Sequence, residues 1–137
     1  MGGGSITSDV TVQGAVNATG DMVAYYQTSD DRLKNRLGNI QGALEKVTNL
    51  NGFIYKFNDL ANNFGFNNQS TFVGLSAQEL VEVLPEAVKP VPFKNLIETG
   101  NNYMRVEYEK VVPLLVESIK ELNENLQTVS KHIGLIP

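Results

Sequence analysis

The residues of this sequence with the clearest chemical potential are a serine and a lysine, Ser29 and Lys34, which lie five positions apart. A serine hydroxyl becomes an effective nucleophile when a neighbouring base takes its proton, and an uncharged lysine amine can be that base. The sequence holds one histidine, His132, near its far end, and it has no cysteine. Serine–lysine chemistry is therefore favoured over a serine–histidine–aspartate site or a thiol site.

We predict that this pair cuts the chain once, directly before the serine. The oxygen of Ser29 attacks the carbonyl of Thr28, Lys34 accepts the serine proton, and water then releases the two pieces from the resulting ester. Backbone amides at the start of the following helix are candidates to stabilise the oxyanion. The residues alone leave a simpler alternative open, in which Ser29 caps a helix and Lys34 is a solvated surface lysine.

The pair can meet only if the chain bends between its two members. On a continuous helix five residues advance about 500°, which leaves the two side chains roughly 140° apart. A strand end followed by a helix start would supply the bend. Alternatively, Lys34 could reach the serine of a neighbouring subunit.

The charges around the lysine set a second requirement, because a lysine base must be neutral when it works. Burial or a neighbouring cation favours the neutral amine, and Arg32 and Arg36 are near enough in sequence to be that cation. Asp30 and Asp31 would oppose it if they paired with Lys34. The folded chain must therefore hold both carboxylates away from the amine.

The composition predicts one domain, with at most a small appendage, and excludes several classes of function. The chain has 137 residues, 42% of them hydrophobic, and a net charge of -4, which argues against a nucleic-acid partner. It has no apolar run of 18 residues, so we predict no membrane span. Without cysteine or a metal-spaced cluster, we expect neither a metal nor a cofactor. The opening residues 1–5 are interpreted as a flexible leader or an expression remnant.

Residues 6–26 predict short strands that cannot fold alone. Val10, Val12 and Val16 keep a two-residue apolar period, which is typical of strands. Because so small a β segment is marginal in water, it needs a partner, and we expect that partner to be further copies of itself. The alternative is a disordered leader.

The period changes at Leu33, where an apolar stripe predicts one helix that continues to about residue 50. The stripe has helical spacing and consists of Leu33, Leu37, Ile40, Leu44 and Val47. Asn51-Gly52 then forms a turn, and the aromatic alternation of residues 53–57 predicts a strand.

The middle of the chain predicts a loop, a capped helix and two short strands. Residues 58–71 are rich in asparagine and form the loop, in which the aromatic residues Phe64 and Phe66 are either anchors or a receptor-binding surface. Ser76 opens a capping box with Glu79, so a helix should run to Leu84. We expect an edge strand at 88–91 and a strand at 103–108, with the rest of 86–102 irregular.

The last element is a long helix with a narrow apolar stripe. The stripe keeps heptad spacing and consists of Leu115, Ile119, Leu122, Leu126, Val129 and Ile133. Pro113 fits the first turn, and Gly134 is a natural stop. Such a stripe can pack inside its own domain or against other copies of the chain, and the sequence leaves both alternatives open.

Four ordered blocks of the sequence resemble the intramolecular chaperone auto-processing domain found at the C-terminus of phage tail fibres, tail spikes and endosialidases. They are a Ser-Asp-x-Arg-Leu-Lys start, an apolar helix with an aromatic strand, a Gly-x-x-Ala-Gln-Glu segment followed by Pro-Glu-Ala-Val, and a Tyr-x-x-x-x-Pro-Leu-Leu-Val-Glu-x-Ile-Lys-Glu-Leu end. In this chain they are residues 29–34, 40–57, 74–88 and 108–122. The chain departs from the pattern at 35–37, and residues 91–102 are hard to align.

The resemblance implies an α+β fold and a homotrimer. The expected architecture is a mainly helical chaperone domain, residues 29–137, with a small antiparallel sheet and a long C-terminal helix. It would follow a short β-rich segment, residues 1–28, that forms the end of a fibre or spike stem. The trimer contacts would be made by Leu115, Ile119, Leu122 and Leu126.

The resemblance also implies a function and the residues that perform it. The domain would drive trimerisation and folding of the upstream fibre in the host cytoplasm, then cut the bond between Thr28 and Ser29 and leave the mature virion fibre. Ser29 would be the nucleophile and Lys34 its base, supported by Asp30 and Arg32. The alternatives are a trimerisation tip that never cuts and a receptor-binding module.

Overall fold

The structure is a computed structural model that describes residues 3–17 and 28–135, and it confirms the α+β class. In this part of the chain the helices are α1 (Ala43–Thr48), α2 (Asp59–Asn63), α3 (Ala77–Val83), α4 (Lys94–Ile97) and α5 (Val112–His132). The strands are β1 (Phe53–Tyr55), β2 (Phe72–Gly74), β3 (Val88–Pro90) and β4 (Met104–Val106). Short 3-10 turns occupy Asp31–Leu33, Pro85–Ala87 and Tyr108–Val111. None of the described helices has the length and apolar character needed to cross a membrane.

The described strands form two small antiparallel sheets. Strand β1 pairs with β2, placing Ile54 opposite Val73, and β3 pairs with β4, placing Lys89 opposite Arg105. The predictions of strands within 53–57, 88–91 and 103–108 are therefore confirmed, although each strand is only three residues long. Strand β2 was not predicted, because its Phe72-Val73-Gly74 sequence is too short to show a period.

The core lies where α1, α3 and α5 meet. Leu80 of α3 and Leu114 of α5 are completely buried, and so is Ala43 at the start of α1. The buried cluster consists of Ala43, Leu80, Leu84, Ala87, Val111 and Leu114. The core thus joins the first helix of the chain to the last one.

The prediction of a single helix from Leu33 to residue 50 is wrong for its first half. Helix α1 begins only at Ala43, and residues 34–40 have no regular secondary structure. Gly38 and Gly42 have φ angles of 131° and 62°, which lie outside the helical region. Glycine adopts such angles freely and is a poor helix former, so the two glycines override the apolar spacing.

The predicted strands of residues 6–26 do not form in the part that is described. Residues 3–17 contain no strand, and all of them are exposed. A strand needs hydrogen-bonding partners on a second strand, which a single chain does not offer here. The part of this prediction on residues 18–26 lies outside the described residues.

Two segments predicted to be irregular contain short helices. Helix α2 lies in the asparagine-rich loop because Asn58 caps it, accepting a hydrogen bond from the amide of Ala61 at 2.9 Å. Helix α4 is a single turn within 86–102, held by the buried Leu96. Both are local turns that apolar periodicity does not reveal.

The aromatic residues of the loop are anchors within the chain. The ring of Phe66 packs at a tilt against that of Phe57 with ring centres 4.9 Å apart, and the ring centre of Phe64 lies 6.0 Å from that of Tyr103. Both rings are half-buried. The anchor interpretation of the loop therefore fits the structure better than an exposed binding surface.

The predicted capping box opens α3, with one change. The hydroxyl of Ser76 accepts a hydrogen bond from the amide of Glu79 at 3.3 Å, as expected. The carboxylate of Glu79 turns to Asn51 instead, accepting from its backbone amide at 3.3 Å and its side-chain amide at 2.9 Å. The box thereby ties α3 to the turn that follows α1.

Helix α5 is confirmed as a long helix of 21 residues, and it has two different apolar faces. One face, formed by Leu114 and Ser118, is buried, and Leu114 belongs to the core cluster together with Val111, which lies directly before the helix. The predicted heptad stripe is the other face, and its residues are exposed. In the single chain, the stripe is thus not used for packing inside the domain.

Candidate functional site

The candidate catalytic residues, Ser29 and Lys34, flank a short turn near the start of the described range 28–135. Asp30 caps the 3-10 turn Asp31–Leu33, its Oδ1 accepting a hydrogen bond from the amide of Arg32 at 2.9 Å. The amides of Leu33 and Lys34 donate to the carbonyls of Asp30 and Asp31 at 3.0 and 3.1 Å. Aspartate is a favoured cap because its short carboxylate reaches the free amides of a helical start.

This turn brings the side chains of Ser29 and Lys34 together. The amine Nζ of Lys34 donates a hydrogen bond to Oγ of Ser29. The bend that the sequence requires is supplied by the 3-10 turn between them. The contact is made within one chain, and both side chains are exposed.

The two aspartates of the turn pair with arginines. Asp30 holds the guanidinium of Arg32 through contacts of 2.8 and 3.0 Å, and Asp31 holds Arg36 at 2.9 and 3.1 Å. The hydrogen bonds from Arg32 lower the pKa of the Asp30 carboxyl, and the charge of Lys34 adds a smaller effect in the same direction.

These ion pairs keep the carboxylates away from Lys34, as the sequence hypothesis requires, but they do not leave a nearby arginine unpaired. Among the described residues, Lys34 forms no ion pair within 4.0 Å, so the carboxylates are held away from its amine. Arg32 and Arg36 are themselves neutralised by the same pairs. They are therefore not the unpaired cations that would favour a neutral lysine.

The turn does not present its later amides to an oxyanion. The amides of Arg32, Leu33 and Lys34 already donate hydrogen bonds within the turn. The prediction that amides of the helix start stabilise the oxyanion therefore does not apply to these three in the single chain.

The candidate pair belongs to a segment, residues 29–42, that is exposed except at the half-buried Ile40, and we call it the cleavage arm. Every residue from 29 to 39 is exposed, and Leu37 is completely so. Leu33 is 76% exposed. The described residues thus leave both leucines of this segment largely uncovered.

The predicted trimer contacts lie in a different region, on the outer face of α5. Leu115, Ile119, Leu122 and Leu126 are 42%, 65%, 55% and 60% exposed. The single chain does not bring them together with Ser29 and Lys34. The candidate residues therefore form two separate groups, one on the cleavage arm and one on the last helix.

A carboxylate that the sequence reasoning missed joins α5 to the helix that follows the arm. Glu121 of α5 accepts hydrogen bonds from the amides of Ala43 at 3.0 Å and Leu44 at 2.8 Å, at the start of α1. These bonds, that from Leu44 first, lower the pKa of the Glu121 carboxyl. The signal for it was a second stripe on α5, since Leu114, Ser118 and Glu121 also have helical spacing.

The region that begins at the candidate serine matches a known protein family. Residues 29–89 match the sequence model of a peptidase family described as chaperone of endosialidase. This part of the chain belongs to that family. The chaperone of endosialidase family consists of self-cleaving chaperones, and its match starts at Ser29.

Curated relatives extend the similarity beyond the family match. The long tail fiber proteins Gp37 of Enterobacteria phages K3 and T2 are each 34% identical over 122 residues, which cover 83% of this chain. The same-named protein of Escherichia phage AR1 is 31% identical over 96 residues and 70% of the chain. The chain spans only 8–9% of the length of these proteins.

The family match covers one of the two groups of candidate residues and not the other. The chaperone of endosialidase match covers the cleavage arm and continues to β3, whereas α5 lies outside it. In the described residues no cluster of side chains could hold a metal ion.

Proposed function

We propose that the chain is a C-terminal intramolecular chaperone of a phage tail fibre or tail spike. It drives trimerisation and folding of the fibre, then releases itself by serine–lysine autoproteolysis between Thr28 and Ser29. The observation that carries this proposal is the hydrogen bond between Lys34 and Ser29 on a capped turn where the family match begins. The tail fibre relatives support the fibre as the upstream partner.

The reaction is an acyl transfer followed by hydrolysis. The neutral amine of Lys34 accepts the hydroxyl proton of Ser29 while Oγ attacks the carbonyl carbon of Thr28. The carbon–nitrogen bond breaks, and the lysine returns the proton to the leaving amine of Ser29. Water then attacks the ester, leaving a carboxylate on Thr28 and a hydroxyl on Ser29.

The exposure of the pair identifies what the single chain lacks. A lysine that acts as a base must be neutral when it accepts the serine proton. Burial favours the neutral amine, and both side chains are exposed. We therefore place the cut after assembly, when a neighbouring copy covers the arm.

The outer face of α5 is the surface on which assembly would occur. Its exposed residues follow heptad spacing along nearly the whole helix, and such stripes pack against other helices in coiled coils. In the proposed trimer, Leu115, Ile119, Leu122 and Leu126 make this contact. Residues 1–28 would then be the end of the fibre stem, whose strands find their partners in the other two chains.

Scission after folding would make assembly hard to reverse. The mature fibre would no longer be attached to the domain that guided its folding. Its lifetime would then depend on how slowly it unfolds, since it could not refold readily. The cut would take place in the host cytoplasm during virion assembly.

The test is a denaturing gel of the freshly made chain and two variants. The wild type should give pieces of 28 and 109 residues. Ser29→Ala and Lys34→Ala should each give one uncut band, with cleavage reduced at least about a thousandfold, because the pair works as a unit. Ser8→Ala, an exposed serine outside the pair, is the matched control and should cut normally.

A trimerisation tip that stays attached is the second candidate function. The observation that favours it is the exposure of Ser29 and Lys34, since the single chain gives the pair no buried surroundings. The same gel separates the two, because a permanent tip leaves the wild type as one band after assembly.

A further inference from the structure

Glu121 lies where two exposed parts of the molecule leave the core. On one side the cleavage arm ends at Gly42, directly before Ala43. On the other side every residue from 122 to 129 is exposed, so no face of α5 is covered over two turns. We call residues 122–132 the free half of α5. The carboxylate of Glu121 bonds the first two amides of α1 at this shared point.

The start of α1 depends on this carboxylate. Gly42 precedes the helix in a left-handed conformation and offers no side chain to cap it. A helix of six residues is too short to be stable by itself and relies on its packing and its caps. Glu121, 78 residues further along the chain than Ala43, supplies the cap that the local sequence does not.

Small residues are buried on both helices near this point. Ala43 is completely buried, and Ser118, one turn before Glu121 on α5, is buried as well. The hydroxyl of Ser118 donates to the carbonyl of Leu115 at 2.9 Å, within α5. The two oxygens of Glu121 each accept from a different amide, Oε1 from Ala43 and Oε2 from Leu44, so both are used at the start of α1.

The arm and the free half have comparable reach from this point. Ile40 packs against the core, so the free part of the arm beyond the pair is residues 34–39, which span at most about 20 Å when extended. The eleven residues of the free half rise about 16 Å along the helix axis. A candidate pair held at this end of the arm can thus reach a bundle formed by the free halves.

We infer that Glu121 is a positioning residue for self-cleavage, which anchors the cleavage arm to the helix through which the copies assemble. This inference rests on the proposed function. It assigns Glu121 no contact with the reacting atoms. Its role is to fix the start of α1, so that the arm leaves the core in a direction that brings the Ser29–Lys34 pair against the assembled helices.

The test compares Glu121→Ala with Glu124→Ala in the full chain made by cell-free translation. Glu124 is an exposed carboxylate in the free half, so both variants remove one negative charge from α5. Glu121→Ala should cut at least about tenfold more slowly, because small displacements of reacting groups have large effects on rate. Glu124→Ala should cut like the wild type, and both should keep the oligomeric mass.

Two further readouts separate positioning from general stability. Glu121→Gln keeps one acceptor oxygen and should recover part of the rate. Hydrogen exchange in Glu121→Ala should quicken in residues 43–48 and stay unchanged in 77–84, which contain α3 and its C-cap. If Glu121→Ala does not assemble, Glu121→Gln is compared with Glu124→Ala in its place.

Three results would overturn the inference. Equal cutting rates in the Glu121 and Glu124 variants would show that the anchor does not matter. Equal loosening of 43–48 and 77–84 would assign the slow cutting to a destabilised core. A wild type that assembles and stays whole would remove the proposed function and this inference together, whereas the first two results leave the proposed function standing.

Discussion

The core and the cleavage arm differ in how much of their apolar surface is buried and in the contacts that hold them. In the core, Leu80 and Leu114 have no exposed surface, and the carboxylates of Glu79 and Glu121 tie helices α3 and α5 to other parts of the chain. In the arm, two leucines face solvent, and the turn is held by exposed ion pairs, which contribute little to stability. The core is packed within one chain, whereas the arm is not. The proposed chemistry therefore belongs to the part of the described chain that has no packed surroundings.

A substitution on the outer face of α5 should have the largest effect, because it should prevent assembly while the core stays folded. Leu122→Asp places a charge in the middle of the proposed contact, where association would bury it. We expect a monomer by light scattering, and cleavage should be lost with the trimer. The fold should survive, because Leu122 is exposed in the single chain. A trimer that persists in this variant would move the contact to another surface.

The inner face of the same helix gives the second prediction. Leu114→Ala should lower the free energy of unfolding by about 2–5 kcal/mol, because it leaves a cavity among fully packed side chains. Urea denaturation followed by circular dichroism measures this loss. Val116→Ala, on an exposed position two residues away, is the control and should change the unfolding free energy by less than about 0.5 kcal/mol. A similar loss in both variants would contradict the two-faced description of α5.

Several elements of the fold were predictable because their signals are local. The capping box at Ser76, the aromatic alternation that forms β1 and the stop at Gly134 each depend on a few neighbouring residues. The apolar stripe beginning at Leu33 misled for the same reason, since spacing alone does not show whether a surface exists to bury it. Gly38 and Gly42 were the contrary signal, and they decide the outcome.

The candidate site was predictable in its residues but not in its surroundings. The spacing of Ser29 and Lys34 indicated that they could meet across a bend, and the hydrogen bond joins them. The pairing of Asp31 with Arg36 depends on how the turn folds. The bond from Glu121 to Ala43 joins residues 78 positions apart, which no local pattern encodes.

Lowering the pH should have the smallest effect of these changes, and it should act on the carboxylate of Glu121. Hydrogen bonds from Leu44 and Ala43 lower the pKa of Glu121 in the folded chain below its ordinary value of 4.5. The folded state then binds fewer protons than the unfolded state, so this contribution to stability is present above pH 4.5 and is lost as the pH falls below it. Thermal unfolding between pH 7 and pH 3 should show a fall in midpoint temperature that is shallower in Glu121→Gln. An equal slope in both proteins would mean that the amides do not hold the charged carboxylate.

The most direct test of the central claim is the intact mass of the wild-type chain, followed from synthesis through assembly. The account predicts that the whole chain of 15.0 kDa disappears and that a 109-residue piece with Ser29 as its first residue takes its place. The piece should appear only after the oligomer has formed. A fully assembled chain that keeps its original mass would contradict the account.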